Sequence, residues 1–540
     1  MVYDVVIKNG RIVDGTGHPT FLSSLAIKDG KITKIEKEIS DEARLVIDAK
    51  GLVISPGFID IHSHSDSNIP ISNKLESMIT QGITTAAVGQ CGSSLAPISD
   101  ETFDLFKKEV DMWSPPGVEV DLSWRSFEEY LTEMEKGKCS MNIVPVVGFG
   151  TIRLAGGPGY EDRPPTTDEL AKMQSYVEEA LVAGAFGFST GLIYSPQVYA
   201  KTEEVIELAK IVAKYDRIYF SHIRDEGAKV VEAVEEFIRI VEESGCKSGQ
   251  IAHHKASGIT NWGISKKTLQ IIREANQKGL DITCDQYPYN RSMTSLITIL
   301  PPWVHIGGIE SILERLSDEK IRERIKNEME TGLIDHENFA KHQGFENIFI
   351  SSIKTDKWAD IEGKSIAEIT KIRNLKDDYE TVFTLILDEK GEIWITIKSM
   401  GEEDIKRIMT SKYSMIGTDG SGVSPTGPLS HGKPHPRFYG TFPRVLGKFV
   451  REEQWFSLEE AIWKMTGFPA KKLGLEDRGL VKENYFADLV IFNPETVIDE
   501  ATFDDPHRFS KGIEYVIVNG KITVEKGIQN EVLEGKILRK

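Results

Sequence analysis

The 540-residue sequence has few cysteines and no long apolar run. Its four cysteines show no close pairing, so we predict no disulfide framework and expect a reducing, cytoplasmic setting. They are Cys91, Cys139, Cys246 and Cys284. No apolar stretch of about 18 residues is present, and no basic segment followed by an apolar run begins the chain. We therefore expect neither a membrane span nor a secretion signal.

Basic residues are also scarce relative to acidic ones. Lys and Arg number 65 against 83 Asp and Glu, which gives a formal net charge of -18. This balance argues against nucleic acid or an anionic membrane as a partner, so we expect a small-molecule substrate. The hydrophobic share of 40% and the charged share of 27% are typical of a globular protein. The oligomeric state is left open.

Both ends of the chain carry β-hairpin signals. Asn9-Gly10, Asp29-Gly30 and Asn519-Gly520 each separate two apolar runs, as the turn residues of hairpins do. We therefore predict that residues 1–56 and 471–540 pair into one small β domain, with residues 57–470 inserted between its halves.

The middle of the chain alternates between short apolar strands and helical runs. Strands are predicted at 84–88, 143–147, 187–189, 218–221, 251–252, 282–284 and 414–416, and helices at 167–184, 202–215, 230–244 and 266–278. This rhythm predicts an α/β fold with a parallel sheet. We favour a (β/α)8 barrel over an open sheet, because the candidate chemical residues follow many different strands. The rhythm breaks at about 300–400, which predicts an inserted subdomain.

The segment from Gly57 to Asp66 contains two histidines, His62 and His64, after a buried strand. Side chains two residues apart in a strand share a face, so both imidazoles could reach one metal ion. The alternative is a pair of ordinary polar residues. Ligand-type residues at later strand ends favour the metal.

Three further strand ends carry metal-ligand side chains. Cys91 lies between glycines just after a strand, although a lone cysteine is more often a packing residue. His222 ends another strand. The next one ends in His253-His254-Lys255, where we favour His253 as the ligand and keep His254 as the alternative if the register is shifted by one.

The last predicted barrel strand ends at Asp419, among glycines. A lone Asp-Gly is usually a turn, but a carboxylate here could contact a metal and a water molecule, accept a proton and return it to a leaving amine. Zinc accepts nitrogen, sulfur and oxygen ligands together. The set therefore predicts a zinc-dependent hydrolase of a carbonyl-type bond.

The sequence resembles the amidohydrolase superfamily, and more closely its N-acyl-D-amino-acid deacylase (D-aminoacylase) branch, over nearly the whole chain. The motifs that carry the resemblance are Pro56 to Asp66, Gly89-Gln90-Cys91-Gly92, Ser221 to Glu226, His253-His254-Lys255, Gly417 to Gly420 and His435 to Gly447. The resemblance implies a distorted (β/α)8 barrel with a small β-sandwich built from both termini. It also implies hydrolysis of an N-acyl-D-amino acid to a carboxylate and a D-amino acid.

The resemblance also implies roles for individual residues. It implies one tight zinc bound by Cys91, His222 and His253, a weaker second site formed by His62, His64 and Asp419, and Asp419 as general base and then general acid. The implied holders of the substrate α-carboxylate are Lys255, Tyr287 and Arg437, with Tyr194 near the scissile carbonyl. Arginine grips a carboxylate in a bidentate manner, and lysine adds a point charge.

One motif departs from the branch, and two other functions compete. Gly148-Phe149-Gly150-Thr151 stands where relatives often have Gly-His-Gly-Thr, which bears on the substrate range.

A cyclic-amide hydrolase of the dihydroorotase or hydantoinase type commonly uses a carboxylated lysine at a strand end, and residues 143–147 contain no lysine. A non-catalytic scaffold would have lost ligands, whereas every candidate ligand is present.

Overall fold

A nine-stranded sheet contains strands from both ends of the chain. The computed structural model describes residues 2–332 and 336–540. Its first strands are β1 (Tyr3–Ile12), β2 (Phe21–Lys28), β3 (Lys31–Glu36), β4 (Ala43–Asp48) and β5 (Val53–Pro56). The C-terminal strands described below join this sheet through β5. The predicted pairing of the two termini is therefore confirmed.

The predicted hairpin at Asn9-Gly10 is wrong. β1 runs through both residues, and its pairing with β2 shifts register between Ile7 and Gly10, so the dipeptide forms a bulge. Asn9 has a φ of 59°, and a Cβ on Gly10 would lie 2.2 Å from a side-chain atom of Ile54. The glycine allows close packing inside the sheet here, whereas Asp29-Gly30 does form the turn between β2 and β3.

Parallel strands then build the barrel. They are β6 (Phe58–Asp60), β7 (Ile83–Val88), β8 (Asn142–Pro145) with its continuation β9 (Val147–Gly148), β10 (Gly187–Gly191), β11 (Ile218–His222), β12 (Ser248–Ile251) and β13 (Asp281–Gln286). The predicted strands fall within these bounds or one or two residues beyond them. Their neighbours in the sheet follow chain order, as in a (β/α)8 barrel.

An inserted subdomain with its own small sheet follows β13. Its strands are β14 (Arg291–Ser295), β15 (Ile348–Ser352) and β16 (Trp394–Lys398), with β16 in the middle. β16 pairs with β14 and β15, so it belongs to the subdomain rather than to the barrel. The subdomain buries a separate apolar cluster that includes Leu296, Ile325 and Phe383.

The barrel closes at β17 (Ser414–Ile416), which pairs with β13. Beyond β17, Asp419 N donates to His62 O at 2.9 Å and His64 N donates to Gly420 O at 2.8 Å, so the last strand meets the first. The predicted distorted barrel is confirmed. The chain then returns to the terminal sheet through β18 (Leu489–Phe492), β19 (Ile513–Val518), β20 (Lys521–Glu525) and β21 (Ile528–Gln529).

The helices connect the strands, and seven of the described α-helices begin at a side-chain cap. The α-helices are α1 (Glu76–Ile79), α2 (Phe103–Trp113), α3 (Phe127–Gly137), α4 (Phe149–Gly156), α5 (Thr167–Ala183), α6 (Thr202–Lys214), α7 (Val230–Ser244), α8 (Ser265–Gln277), α9 (Ile309–Ser317), α10 (Glu319–Thr331), α11 (Phe339–Gln343), α12 (Ile366–Arg373), α13 (Asp378–Asp388), α14 (Glu402–Met409), α15 (Arg437–Arg444), α16 (Leu458–Met465) and α17 (Gly467–Leu473). Helix α5 shows the local rules: Thr166 and Glu169 form a capping box, and Gly184 ends the helix with a φ of 113°.

The domain boundaries at residues 56 and 470 and the bounds of the insertion at about 300–400 stay predictions. Across residues 2–332 and 336–540, we find no helix with the length and apolar character needed to cross a bilayer.

Candidate metal centre

Six candidate ligands meet at one end of the barrel. Each follows or ends a different parallel strand, apart from the two histidines after β6, and parallel strands place their carboxyl ends at the same mouth. The strands concerned are β6, β7, β11, β12 and β17, and the residues are His62, His64, Cys91, His222, His253 and Asp419.

Cys91 lies at the centre of the histidine group. Its Sγ is 3.4 Å from His62 Nε2, 3.4 Å from His253 Nε2 and 3.8 Å from His222 Nδ1. Burial alone would raise the pKa of the Cys91 thiol, but the neighbouring charges of His62 and His253 outweigh it and lower the pKa well below its usual value. A thiolate among imidazoles is a donor set that suits zinc.

The other three cysteines have the opposite character. Burial raises the pKa of each thiol, to about 12 for Cys139, about 11 for Cys246 and about 12 for Cys284. These thiols stay protonated and act as small packing groups, as expected for buried cysteines away from a cluster of imidazoles.

The second group of ligands comprises His62, His64 and Asp419. Asp419 Oδ1 is 3.5 Å from His62 Nε2 and 3.3 Å from His64 Nε2. The two imidazoles lie together, with ring centroids 5.3 Å apart, although β6 ends at Asp60 and the expected strand does not continue through them. Within the described residues, this trio is one of three clusters whose ligand atoms lie within 4.8 Å of one another.

The structure distinguishes His253 from His254. His253 faces Cys91, whereas His254 Nε2 forms a 2.7 Å hydrogen bond with Thr268 Oγ1 on α8.

The backbone is strained at three of the candidate ligands: Cys91, His253 and Asp419 have φ values of 53°, 31° and 49°. Such left-handed conformations are costly for these residue types and cluster at functional sites.

Glu226 joins this group, and sequence reasoning assigned it no role. Its Oε1 lies 2.9 Å from His253 Nδ1 and 2.6 Å from Lys255 Nζ, and its Oε2 lies 3.6 Å from His222 Nε2. Burial would raise the pKa of Glu226, but Lys255 and the two histidines lower it well below the usual range. Its position four residues after His222, in the motif Ser221 to Glu226, was the available signal.

Two buried aspartates contact His62, and sequence reasoning assigned neither of them a role. Asp285 Oδ2 lies 3.7 Å from His62 Nδ1 and accepts the backbone N–H of His253 at 2.9 Å. Asp60 accepts hydrogen bonds from Thr418 Oγ1 and from the backbone of His62. Burial raises the pKa of Asp60 to about 7 against these donors. Carboxylates beside metal-binding histidines orient the rings.

The predicted substrate-binding residues surround the same cluster. Arg437 Nη1 lies 2.8 Å from Asp419 Oδ2, and the Arg437 guanidinium lies 4.6 Å from the ring centroid of Tyr287. The ring of Tyr194 packs edge-on against His222, with centroids 4.8 Å apart. Arg437 Nε, Tyr287 Oη and His222 Nε2 are buried without a hydrogen-bond partner among the described residues. Buried polar atoms of this kind call for a ligand.

A cavity of about 360 Å³ opens from the ligand cluster. Residues of the barrel mouth, α2 and the inserted subdomain line it, including Tyr194, Lys255 and Arg437. Phe149, the residue that departs from the usual motif, is fully buried and packs against Phe188 with ring centroids 5.9 Å apart. It does not line this cavity, whereas its neighbours Gly150 and Thr151 do.

Comparison with known proteins identifies the family to which this chain belongs. D-aminoacylase of Alcaligenes xylosoxydans xylosoxydans is 33% identical over 523 residues, which cover 96% of this chain and 94% of the relative. The chain belongs to the N-acyl-D-amino-acid deacylase family of amidohydrolases. Residues 395–524 also match the model of the amidohydrolase family.

Other members of the deacylase family are equally similar. N-acyl-D-aspartate deacylase of the same organism is 32% identical over 520 residues, 96% of this chain and 91% of the relative. The solved N-acyl-D-glutamate deacylase of Bordetella bronchiseptica, complexed with zinc and a phosphonate that mimics the tetrahedral intermediate, matches with a TM-score of 0.82 at 31% identity over 100% of both chains. The similarity therefore extends over barrel, insertion and terminal sheet together.

Proposed function

We propose that this protein is a zinc-dependent deacylase that hydrolyses the amide bond of N-acyl-D-amino acids to a carboxylate and a free D-amino acid. The observation that carries the proposal is the meeting of a cysteine, four histidines and an aspartate at the mouth of a barrel whose solved relatives include a zinc complex. Preference for the D enantiomer rests on the relatives alone.

Cys91, His222 and His253 would hold the tight zinc, and His62, His64 and Asp419 would form the weaker second site. The lowered pKa of Cys91 and the position of His222 Nδ1, 3.8 Å from Cys91 Sγ, support this assignment. Bound zinc would act as a Lewis acid that polarises a carbonyl and makes a water nucleophile available at neutral pH.

Asp419 would serve as general base and then as general acid. Burial opposes its ionisation, but Arg437 and His253 lower its pKa well below the usual value, so the carboxylate is charged at neutral pH. It can therefore accept a proton from the attacking water and pass it to the departing nitrogen.

Lys255, Tyr287 and Arg437 would bind the substrate α-carboxylate. Arg437 keeps an unused Nε and Tyr287 an unused hydroxyl, and both are buried beside Asp419 and Lys255. Tyr194, which lines the cavity next to His222, would approach the scissile carbonyl.

The test compares matched enantiomers. Zinc-loaded protein is assayed with N-acetyl-D- and N-acetyl-L-amino acids, and release of the free amino acid is measured; we expect turnover of the D series. Turnover of neither series would refute the proposal. Opening of hydantoin rings without deacylase activity would instead favour a cyclic-amide hydrolase, a function that the absence of lysine from β8 and β9 argues against.

The cytoplasmic location and the absence of nucleic-acid and membrane partners stay predictions. The oligomeric state stays open.

A further inference from the structure

The outer cavity has an apolar lining, apart from a few charged groups. Aliphatic and aromatic side chains from α2 and the inserted subdomain face it, among them Phe106, Val110, Trp113, Ile297, Leu300 and Ile312. In the proposed reaction the α-carboxylate is held near Asp419, so the amino-acid side chain and the acyl group must occupy this remaining space. The charges in this lining therefore decide which amino-acid side chains and acyl groups the cavity accepts.

Three lysines or arginines lie among the described lining residues. Lys255 and Arg437 belong to the metal centre, and the third is Lys354, on the inserted subdomain. Lys354 Nζ lies 2.7 Å from Glu392 Oε2 and donates to Asp111 O on α2 at 2.6 Å. Its side chain is 22% exposed and that of Glu392 is 25% exposed, so this ion pair is largely withdrawn from water.

The outer lining also contains three histidines and Glu109. Nε2 of His336 lies 3.1 Å from Thr298 O and Nε2 of His431 lies 2.5 Å from Ile353 O, so backbone carbonyls hold both of these rings. Burial lowers the pKa of His305 to about 4, so this imidazole is uncharged at neutral pH. Glu109 on α2 accepts a hydrogen bond from Tyr160. A second carboxylate on the substrate would therefore find no lysine or arginine that lacks an acidic partner among the described lining residues, and desolvating an unpaired carboxylate is costly.

We propose that Glu392, by neutralising Lys354, makes the cavity select N-acyl-D-amino acids with uncharged, apolar side chains and reject those with a side-chain carboxylate. This inference rests on the deacylase function proposed above. The relatives divide between a D-aminoacylase and deacylases of N-acyl-D-aspartate and N-acyl-D-glutamate, so family membership does not decide the point.

The first arm of the test uses the zinc-loaded protein with N-acetyl-D-leucine, N-acetyl-D-glutamate, N-acetyl-D-aspartate and N-acetyl-D-lysine. We expect kcat/KM for the leucine derivative to exceed that for each charged derivative by about a hundredfold, because an unpaired buried charge is strongly rejected. A preference for glutamate, aspartate or lysine would overturn the inference. Hydrolysis of none of the four would instead refute the proposed function.

The second arm of the test removes the negative charge that pairs with the Lys354 ammonium group. Glu392→Gln should raise the ratio of N-acetyl-D-glutamate to N-acetyl-D-leucine kcat/KM by about tenfold, the effect of one charge-assisted contact. The double variant Glu392→Gln/Lys354→Met should abolish this gain, and Glu403→Gln, an exposed change on α14, should leave the ratio as in the native protein. An unchanged ratio in Glu392→Gln would overturn the role of the pair.

Discussion

Glu226 Oε1 lies 2.9 Å from His253 Nδ1, and this contact turns His253 Nε2 toward Cys91 Sγ, 3.4 Å away. Lys255 Nζ donates to the same Oε1 at 2.6 Å and also lies 2.8 Å from His253 Nδ1, so lysine, imidazole and carboxylate form one contact group. A carboxylate that binds one ring nitrogen fixes the tautomer and leaves the other nitrogen free for a metal. Glu226 thus sets the geometry of a ligand from another strand.

Glu226→Gln should lower the affinity for the tight zinc by about 10- to 100-fold, because the amide is a weaker acceptor for the His253 N–H. Competition with a chelator measures this affinity directly. Glu232→Gln, an exposed change on α7, is the matched control and should bind zinc as the native protein does. Equal affinities in the two variants would contradict the positioning role.

Cys91→Ala should abolish tight metal binding, because the thiolate at the centre of the histidine group is lost. Metal analysis after dialysis should detect less zinc per chain. In cobalt-substituted protein the sulfur-to-cobalt charge-transfer band should disappear. Cys246→Ala removes a buried thiol of raised pKa and should keep both signals. A persistent band in Cys91→Ala would exclude this cysteine as a ligand.

Asp419→Asn should reduce kcat by about 10²- to 10⁴-fold, the usual contribution of a positioned acid–base group. Zinc held by Cys91, His222 and His253 should be retained, which separates this variant from the loss of the tight site. Steady-state kinetics and metal content are measured on the same sample. Asp216→Asn, an exposed change, provides the comparison; a kcat equal to that of this control would exclude Asp419 from proton transfer.

Arg437→Lys should raise KM by about tenfold or more, because lysine keeps the charge but loses the planar fork that binds a carboxylate. Arg239→Lys changes an exposed arginine on α7 and should leave KM unaltered. Because Arg437 also contacts Asp419, kcat is expected to fall as well. An unchanged KM would assign the α-carboxylate to other residues.

Arg153→Met should destabilise the protein by about 3–5 kcal/mol, because it leaves the buried Glu204 without its ion-pair partner. Arg153 is fully buried and also donates to the carbonyls of Gly159, Glu161 and Arg163. Denaturant unfolding of the zinc-loaded protein measures the change. The double variant with Glu204→Met should recover part of the loss, and no recovery would mean that the carbonyl contacts dominate.

Many helices and strands could be predicted from the sequence because local residue patterns specify them. The helix expected at 167–184 is α5, and the helix expected at 230–244 is α7. Hairpin dipeptides were less reliable, since Asn9-Gly10 forms a bulge while Asn519-Gly520 forms a turn. The dipeptide sets which backbone angles are allowed, and pairing with the neighbouring strands decides whether those angles form a turn or a bulge.

The sequence alone determined the kinds of candidate ligand and their order, because strand-end residues of parallel strands share one mouth whatever the details of packing. Only the tertiary structure decided that His253 rather than His254 faces Cys91, that Glu226 and Asp285 orient the imidazoles, and that Arg437 contacts Asp419. These relationships join residues of different strands across the barrel. Their distances follow from barrel closure and from left-handed backbone angles at the strand ends, which no local periodicity records.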